Sequence, residues 1–405
     1  MKLSKCRNCK KHGLKKLFTL GNQCFTGKFT KHGEKVERAQ INLAICKNCK
    51  LVQLGNTFNL KYMYDSNYGY RTGINKTMSQ HVRNVTKFLS KKIKLKKNDF
   101  VLDIASNDGT LLNYYDKNII TFGIDPILNK YKKFYKDINF ISNSFFSKKR
   151  ITSKTEQKFK IITALSVFYD LDDPNKFLKD VHDILDDNGI FLLEFADLAS
   201  LIKFNMFDTI CHEHAEYYST KVLVKMFKKN KLKLIQINKI DINGASKQYL
   251  LTKNNSNIKP KIKNINNILN EENKLKLKNY HTYYNFYKRI KIIGDKLNSF
   301  LDKQIKLNKI IHGYGASTKG NTLLQFYNLG KKQLQYISDR NPDKWGLKTP
   351  GTNINIVSEK FSRSKNPDYY LVLPWHFKKE ILKREIKARK KGTKFIFPLP
   401  NFSIF

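Results

Sequence analysis

No apolar run in this 405-residue chain approaches the roughly 18 residues that a membrane-crossing helix needs, so no membrane partner is expected. The opening stretch, "MKLSKCRNCKKHG", lacks the apolar core of a secretory signal peptide. The chain therefore reads as cytoplasmic, and its six cysteines as ligands or free thiols rather than disulfides. Arginine is scarce too, 10 of the 77 basic residues, which leaves 67 lysines. A formal charge of +44 is the footprint of a nucleic-acid binder. Yet the lysines run through every segment instead of forming a stripe, which favours a solvated lysine coat and no specific nucleic-acid partner. A mild attraction for phosphate-bearing ligands follows from either reading.

What is present points to a compact chain of two or three domains, with 40% hydrophobic and 13% aromatic residues spread along its length. Four cysteines form two pairs, "CRNC" (Cys6, Cys9) and "CKNC" (Cys46, Cys49). A CxxC turn brings two thiolates to one side of a bend, and two such knuckles complete the tetrahedral shell that zinc prefers. With four thiolates and no open position, this zinc is structural. The 36 residues between the knuckles must form a small sheet or loop of their own, and Cys24 within them reads as a core residue.

At "NDFVLDIASNDGTLLNYY" an apolar strand runs into a small-residue turn and a helix start. A second strand, "IITFGIDP", ends at Asp125, 22 positions after Asp103. This is the opening of a doubly wound α/β domain, in which a nucleoside lies across the carboxyl edge of the strands. Asp125 can accept ribose hydroxyls, and Gly109 is expected to let the ligand approach the backbone. Asp103, Ser106, Asn107, Asp108 and Leu165 complete the expected cofactor wall. Two later elements, "FKIITALSVFYDLDDP" and "FLKDVHDILDDNGIFLLEF", have the spacing of a class I methyltransferase. S-adenosylmethionine is favoured over a dinucleotide, because "ASNDGT" is not a full G-x-G-x-x-G.

A second strand, Gly-x-Gly turn and helix follow at "NKIIHGYGASTKGNTLLQFYNL", with a strand ending at Asp339 and two more at "DYYLVLPWHF" and "TKFIFPLP". This reads as a second, Rossmann-like α/β unit from about residue 308. Ser317, Thr318 and Lys319 at the helix start suggest a diphosphate cradle, the alternative being a helix cap with a solvated lysine. Between the two units, residues 253–307 read as a linker and a long amphipathic helix. The expected division is 1–85 for the zinc module and a connecting segment, 86–252 for the methyltransferase, and 253–405 for the linker and last domain.

The stretch "ICHEHAEYYS" at 210–219 is by itself a metal site, a proton-transfer site or a wet surface. A metal is disfavoured, since His-x-His supplies two ligands and Glu216 stands where the second histidine of HExxH would fall. Taken in order, the cysteine pairs, "YDSNYGYRTG", "VLDIASNDGTLL", "FDTICHEHAEYYS", "INGASKQ", "GYGASTKGNTLL", "DRNPDKWGLKTPGT" and "LVLPWHF" resemble the sugar C-methyltransferases that act on nucleotide-linked 4-keto-deoxyhexoses. The resemblance covers nearly the whole chain.

It implies a substrate carried on dTDP, CDP or GDP, bound in a cleft between the last two domains of a monomer or weak homodimer, and methylated next to the ketone, at C3 or C5. It assigns His214 as general base and Glu213 as its orienting or relay partner. Tyr68, Tyr70, His212, Tyr217 and Tyr218 would be wall residues, and Ser317 and Lys319 would meet the substrate. Two positions depart from the pattern. Cys211 stands where many relatives have a tyrosine, and Ala105 where the broader class has the first glycine of the turn. A zinc-bearing RNA methyltransferase is the competing reading. It calls for an Asn-Pro-Pro-Tyr loop or a Pro-Cys nucleophile, and "ALSVFYDLDDP" has neither.

Overall fold

The computed structural model describes residues 3–31, 34–59, 63–64 and 69–405. Its described strands form sheets of four, seven and six. The two cysteine knuckles are near copies. Lys10 and Lys50 follow them with φ of 57° and 65°, and their amides donate to the carbonyls of Cys6 and Cys46 at 2.9 and 3.0 Å. The insert between them forms the antiparallel pair Leu14–Cys24 and Arg38–Cys46, to which Val52–Leu54 adds.

The fourth strand of this sheet is Glu216–Tyr217, pairing Tyr217 with Val52 and Glu216 with Gln53. The zinc module is thus not closed by residues 1–85 alone, because a piece of the middle domain completes its sheet. The helix Lys76–Lys92 also crosses the expected boundary. The Asn75 side chain caps it by accepting from the Thr77 and Met78 amides. Its Val82, Val85 and Leu89 pack with Val101, Ile161 and Leu192 of the middle sheet.

Phe100–Ile104 is central among the five parallel strands of the seven-stranded sheet. Ile120–Ile124 and Phe140–Ser142 lie on one side of it, Phe159–Leu165 and Leu185–Phe195 on the other, all parallel. Strands buried on both faces read as the near-continuous apolar runs seen in the sequence. The hairpin Leu232–Ile240 and Ser246–Lys253 closes the far edge, Ser246–Lys253 running antiparallel to Leu185–Phe195. The chain direction of the crossovers reverses beside Phe100–Ile104, so the crevice lies at its carboxyl end. Residues 210–219 precede the closing hairpin, and so do not follow the last strands of this domain.

The six-stranded sheet repeats the plan around Ile311–Tyr314, flanked by Ile337–Asp339 and Tyr369–Val372, with Ile356–Ser358 and Lys394–Phe397 outside them and Ser403–Ile404 antiparallel at the edge. The expected linker contains the helices Ile262–Lys274 and Tyr280–Lys306. The longer one is a spine rather than a spacer. Its Phe286, Ile290, Leu297 and Leu301 share one core with Phe18 and Ile41 of the first sheet and Leu371 and Phe395 of the third. Each such side chain contributes roughly 1.5–3 kcal/mol by leaving water. Gly294 sits mid-helix because a Cβ there would lie 2.4 Å from the Tyr327 ring.

Candidate active site

The carboxyl ends of Phe100–Ile104 and Ile311–Tyr314 open onto one cavity of about 450 Å3. On the first side the wall includes Asp103, Ser106, Asn107, Asp125 and Leu165, as expected. The Asp125 carboxylate accepts from the amides of Asn107 at 2.9 Å and Ile127 at 2.8 Å, and burial pushes it up to about 6. Asp103 accepts from Thr163 Oγ1 at 2.6 Å, and burial pushes it up to about 7. Ala105 holds φ of 59°, a left-handed conformation that costs a non-glycine residue roughly 1–2 kcal/mol. The chain therefore keeps the family turn without its glycine.

Two expected cofactor residues stand behind this wall. Asp108 accepts from the Gly73 amide at 2.9 Å and lies 3.6 Å from Arg71 Nε, so it ties segment 71–73 to the turn. Gly109 has φ of 72°, and a Cβ there would meet the Tyr135 ring at 3.1 Å. Its missing side chain makes room for Tyr135, not for a ligand.

His214 reaches the cavity with its ring against Tyr169, centroids 4.1 Å apart. Its Nδ1 lies 2.6 Å from the Thr209 carbonyl. A carbonyl can only accept, so Nδ1 carries the proton and Nε2 keeps its lone pair. Burial, with help from the Lys319 charge, pushes His214 down to about 4, against the opposing pull of Glu213. The imidazole is neutral at neutral pH.

Glu213 does not orient it through a hydrogen bond. Its carboxylate accepts from Thr26 Oγ1 at 3.1 and 3.3 Å and from the Gly27 amide at 3.1 Å. The ring is aimed by Thr209, and Glu213 fastens the segment to the zinc module while lending its charge.

Three expected wall residues are packing residues instead. His212 lies edge-on between Phe25 and Phe58 and donates from Nε2 to the Ala39 carbonyl at 3.1 Å. Tyr217 donates to the His214 carbonyl at 3.0 Å. Tyr218 is fully buried against Phe168 and Phe195. Tyr70 lines the cavity, and Tyr68 lies outside the described residues. Cys211 is buried, its thiol pushed well up by desolvation and then by Glu213.

From the other side come Ser317, which caps the helix Thr318–Phe326 by accepting from the Gly320 amide at 3.0 Å, and Lys319, whose Nζ donates to the Asn243 carbonyl at 3.3 Å. Asn243 and His376 line the cavity unforeseen. Both lie in stretches quoted above, "INGASKQ" and "LVLPWHF", and that placement was their only signal. Glu194 was also missed. It is an acid inside an apolar strand, accepting from His81 Nε2 at 2.7 Å and Gln248 Nε2 at 2.8 Å.

Outside the cavity lining the four knuckle thiols gather, with all Sγ atoms within 4.8 Å. Cys6 to Cys49 spans 3.5 Å and Cys9 to Cys46 spans 3.6 Å. A tetrahedron of thiolates about 2.3 Å from zinc has edges of about 3.8 Å, so the donor set fits.

Three family models match in succession: a zinc binding domain over residues 6–64, a methyltransferase domain over 74–237, and a C-methyltransferase C-terminal domain over 241–400. The chain carries the domains of a C-methyltransferase. This C-methyltransferase is 26% identical over 366 residues to the C-methyltransferase NovU of Streptomyces niveus, across 89% of this chain and 86% of that one. Among solved structures it is similar to an S-adenosylmethionine-dependent methyltransferase from Clostridium acetobutylicum, with 13% identity, 43% of this chain and 92% of that chain covered, and a TM-score of 0.35. It is also similar to a magnesium protoporphyrin IX methyltransferase from Synechocystis with bound SAH, with 12% identity, 46% and 90% covered, and a TM-score of 0.35. The cofactors of the C-methyltransferase are S-adenosylmethionine and, at the cysteine cluster, zinc.

Proposed function

We propose that this C-methyltransferase adds a methyl group to the carbon beside the ketone of a nucleotide-linked 4-keto-deoxyhexose, with C3 preferred over C5. The observation that carries the reading is the His214 imidazole, its Nδ1 committed to the Thr209 carbonyl and its Nε2 without a hydrogen bond among the described residues, in a cavity shared by the cofactor crevice and the turn of the last domain. A methyl acceptor at carbon must first become a nucleophile. A C–H next to a ketone can do so by giving its proton to Nε2, leaving an enolate. S-adenosylmethionine supplies the electrophilic methyl group for that carbon.

Every other task falls to the chain. Thr209 holds the imidazole in the tautomer that accepts at Nε2. Tyr169 packs against it, its ring tilted by 52°. Asp125, at the end of its strand, is placed to accept ribose hydroxyls of the methyl donor. On the opposite wall Arg340, Lys344 and Arg384 supply the cations that a diphosphate needs. These cations would meet the diphosphate alone, so dTDP-, CDP- and GDP-linked sugars are all substrates to test.

The test is a mass-spectrometric screen of 4-keto-6-deoxy sugar nucleotides with S-adenosylmethionine. The expected product gains the mass of one methylene, and in deuterated water the unmethylated substrate exchanges hydrogen beside the ketone. Failure to modify any keto-sugar nucleotide, together with salt-dependent RNA methylation, would replace this reading by the competing one.

A further inference from the structure

Lys319 was expected to meet a diphosphate, and its surroundings suit a different anion. The side chain is enclosed by the cavity walls, and burial lowers its affinity for the proton while Asp208 partly restores it. Among the described residues no carboxylate oxygen lies within 4.0 Å of Nζ, whose one hydrogen bond goes to the Asn243 carbonyl at 3.3 Å. An enclosed ammonium has three donors to satisfy and is costly without an anion. Two of those donors are uncommitted.

Where the ammonium stands decides which anion it awaits. It is close enough to His214 and to His376 for its charge to lower both imidazoles. His376 Nδ1 is itself buried without a hydrogen-bond partner. Asn243, which anchors Nζ, holds φ of 56° and reaches back through its Nδ2 to Ser166 Oγ at 3.4 Å, on the cofactor side. The next residue, Gly244, is pressed so closely on Trp375 that a Cβ would lie 2.7 Å from its ring. Lys319 is therefore held by interlocked turns in the cavity that it shares with His214, while Arg340, 42% exposed, and Arg384 lie on the last domain's side of that cavity and are already paired with glutamates. A diphosphate carries several charges and suits that more open wall. A single enclosed ammonium next to a general base suits one oxygen that gains charge during reaction.

We propose that Lys319 is a catalytic residue that donates to the ketone oxygen as the enolate forms, with the Asn243 carbonyl as its positioning partner. The C–H bond beside the ketone breaks, and its proton goes to His214 Nε2. The electron pair becomes the carbon–carbon π bond, and the carbonyl π pair moves onto oxygen, where the Lys319 N–H receives it. This assignment rests on the keto-sugar reading above.

The test follows enolisation apart from methyl transfer. Solvent-deuterium exchange beside the ketone is measured with dTDP-, CDP- and GDP-linked 4-keto-6-deoxyglucose and no methyl donor, in wild-type protein, Lys319→Met and Lys319→Gln. Calorimetric titration with dTDP, CDP and GDP and with S-adenosylmethionine accompanies it. Both variants should lose about 100- to 1,000-fold in exchange rate at saturation, while binding the nucleoside diphosphate within about threefold of wild type and S-adenosylmethionine normally. Exchange retained within about threefold in a folded variant overturns the assignment. So does a loss of nucleoside diphosphate affinity with an unchanged saturated exchange rate, which returns Lys319 to the diphosphate. Exchange with none of the sugars in wild-type protein overturns the keto-sugar reading and this one with it.

Discussion

His214 is set as a base by one carbonyl. With Nδ1 donating to Thr209 at 2.6 Å, the substituent that matters is Nε2, so His214→Asn should lower kcat by about 100- to 10,000-fold. Calorimetry should find S-adenosylmethionine binding near normal, because the cofactor wall lies on other strands. The depressed basicity of His214 fixes the pH dependence. A base works in its unprotonated form, which for a group pushed down to about 4 predominates throughout the neutral range. At saturating S-adenosylmethionine, which covers Asp103 near 7 and Asp125 near 6, the acid limb of kcat should therefore stay flat from about pH 7.5 down to about pH 5.5, where an ordinary histidine near 6.5 would already have lost most of its activity. A limb near pH 6.5 that vanishes in His214→Asn would contradict this environment. His214 was singled out by the order of motifs, and it lines the cavity. Glu213 was recognised and its role was not, since the groups that hold it, Thr26 and Gly27, come from the far end of the chain. The burial of His212, Tyr217 and Tyr218 depends on partners such as Phe25, Phe58 and Phe168 that no local pattern names.

Among the elements, the long parallel strands and the two Gly-containing turns were readable because apolar runs, turn residues and helix starts recur in order. The two-residue strand Glu216–Tyr217 was not, because its only signature is its pairing with Val52–Leu54. The turn between Leu232–Ile240 and Ser246–Lys253 entered the sequence reading only as the stretch "INGASKQ", with nothing to mark it as a hairpin or as part of the site. Its Gly244 has φ of 96° and no room for a Cβ beside Trp375. Gly244→Ala should cost about 1–3 kcal/mol in denaturant unfolding through strain and overpacking. It should also lower kcat, because Trp375, whose Nε1 donates to Asp208 at 2.8 Å, stands between the cavity residues Pro374 and His376. A variant as stable and active as wild type would mean that this contact is easily relieved.

At the scale of the molecule, the zinc site and the base are joined by a short chain of contacts. Arg7, between two ligand cysteines, donates to the carbonyls of Leu54 and Asn56, both at 2.9 Å. The Leu54 amide donates to the Ala215 carbonyl at 2.8 Å, one residue from His214. Removing zinc with a chelator should lower the melting temperature and speed amide exchange in residues 210–217, measured by mass spectrometry, ahead of the middle-sheet strands. Equal protection there with and without metal would show the knuckles to be energetically separate from the site. The three-part organisation was visible in the sequence. The sharing of one core by the first sheet, the long helix and the last sheet was not, since amphipathic periodicity marks a face as buried without naming what covers it.

The borrowed strand has a consequence for how the protein is made. Val52–Leu54 leaves the ribosome with one edge unpaired, and its partner, Glu216–Tyr217, is 162 positions further on. At roughly 5–20 residues per second the wait is on the order of ten to thirty seconds. Throughout that interval the amino-terminal module is a half-finished sheet with an open edge, the kind of surface that invites a neighbouring nascent chain or a chaperone.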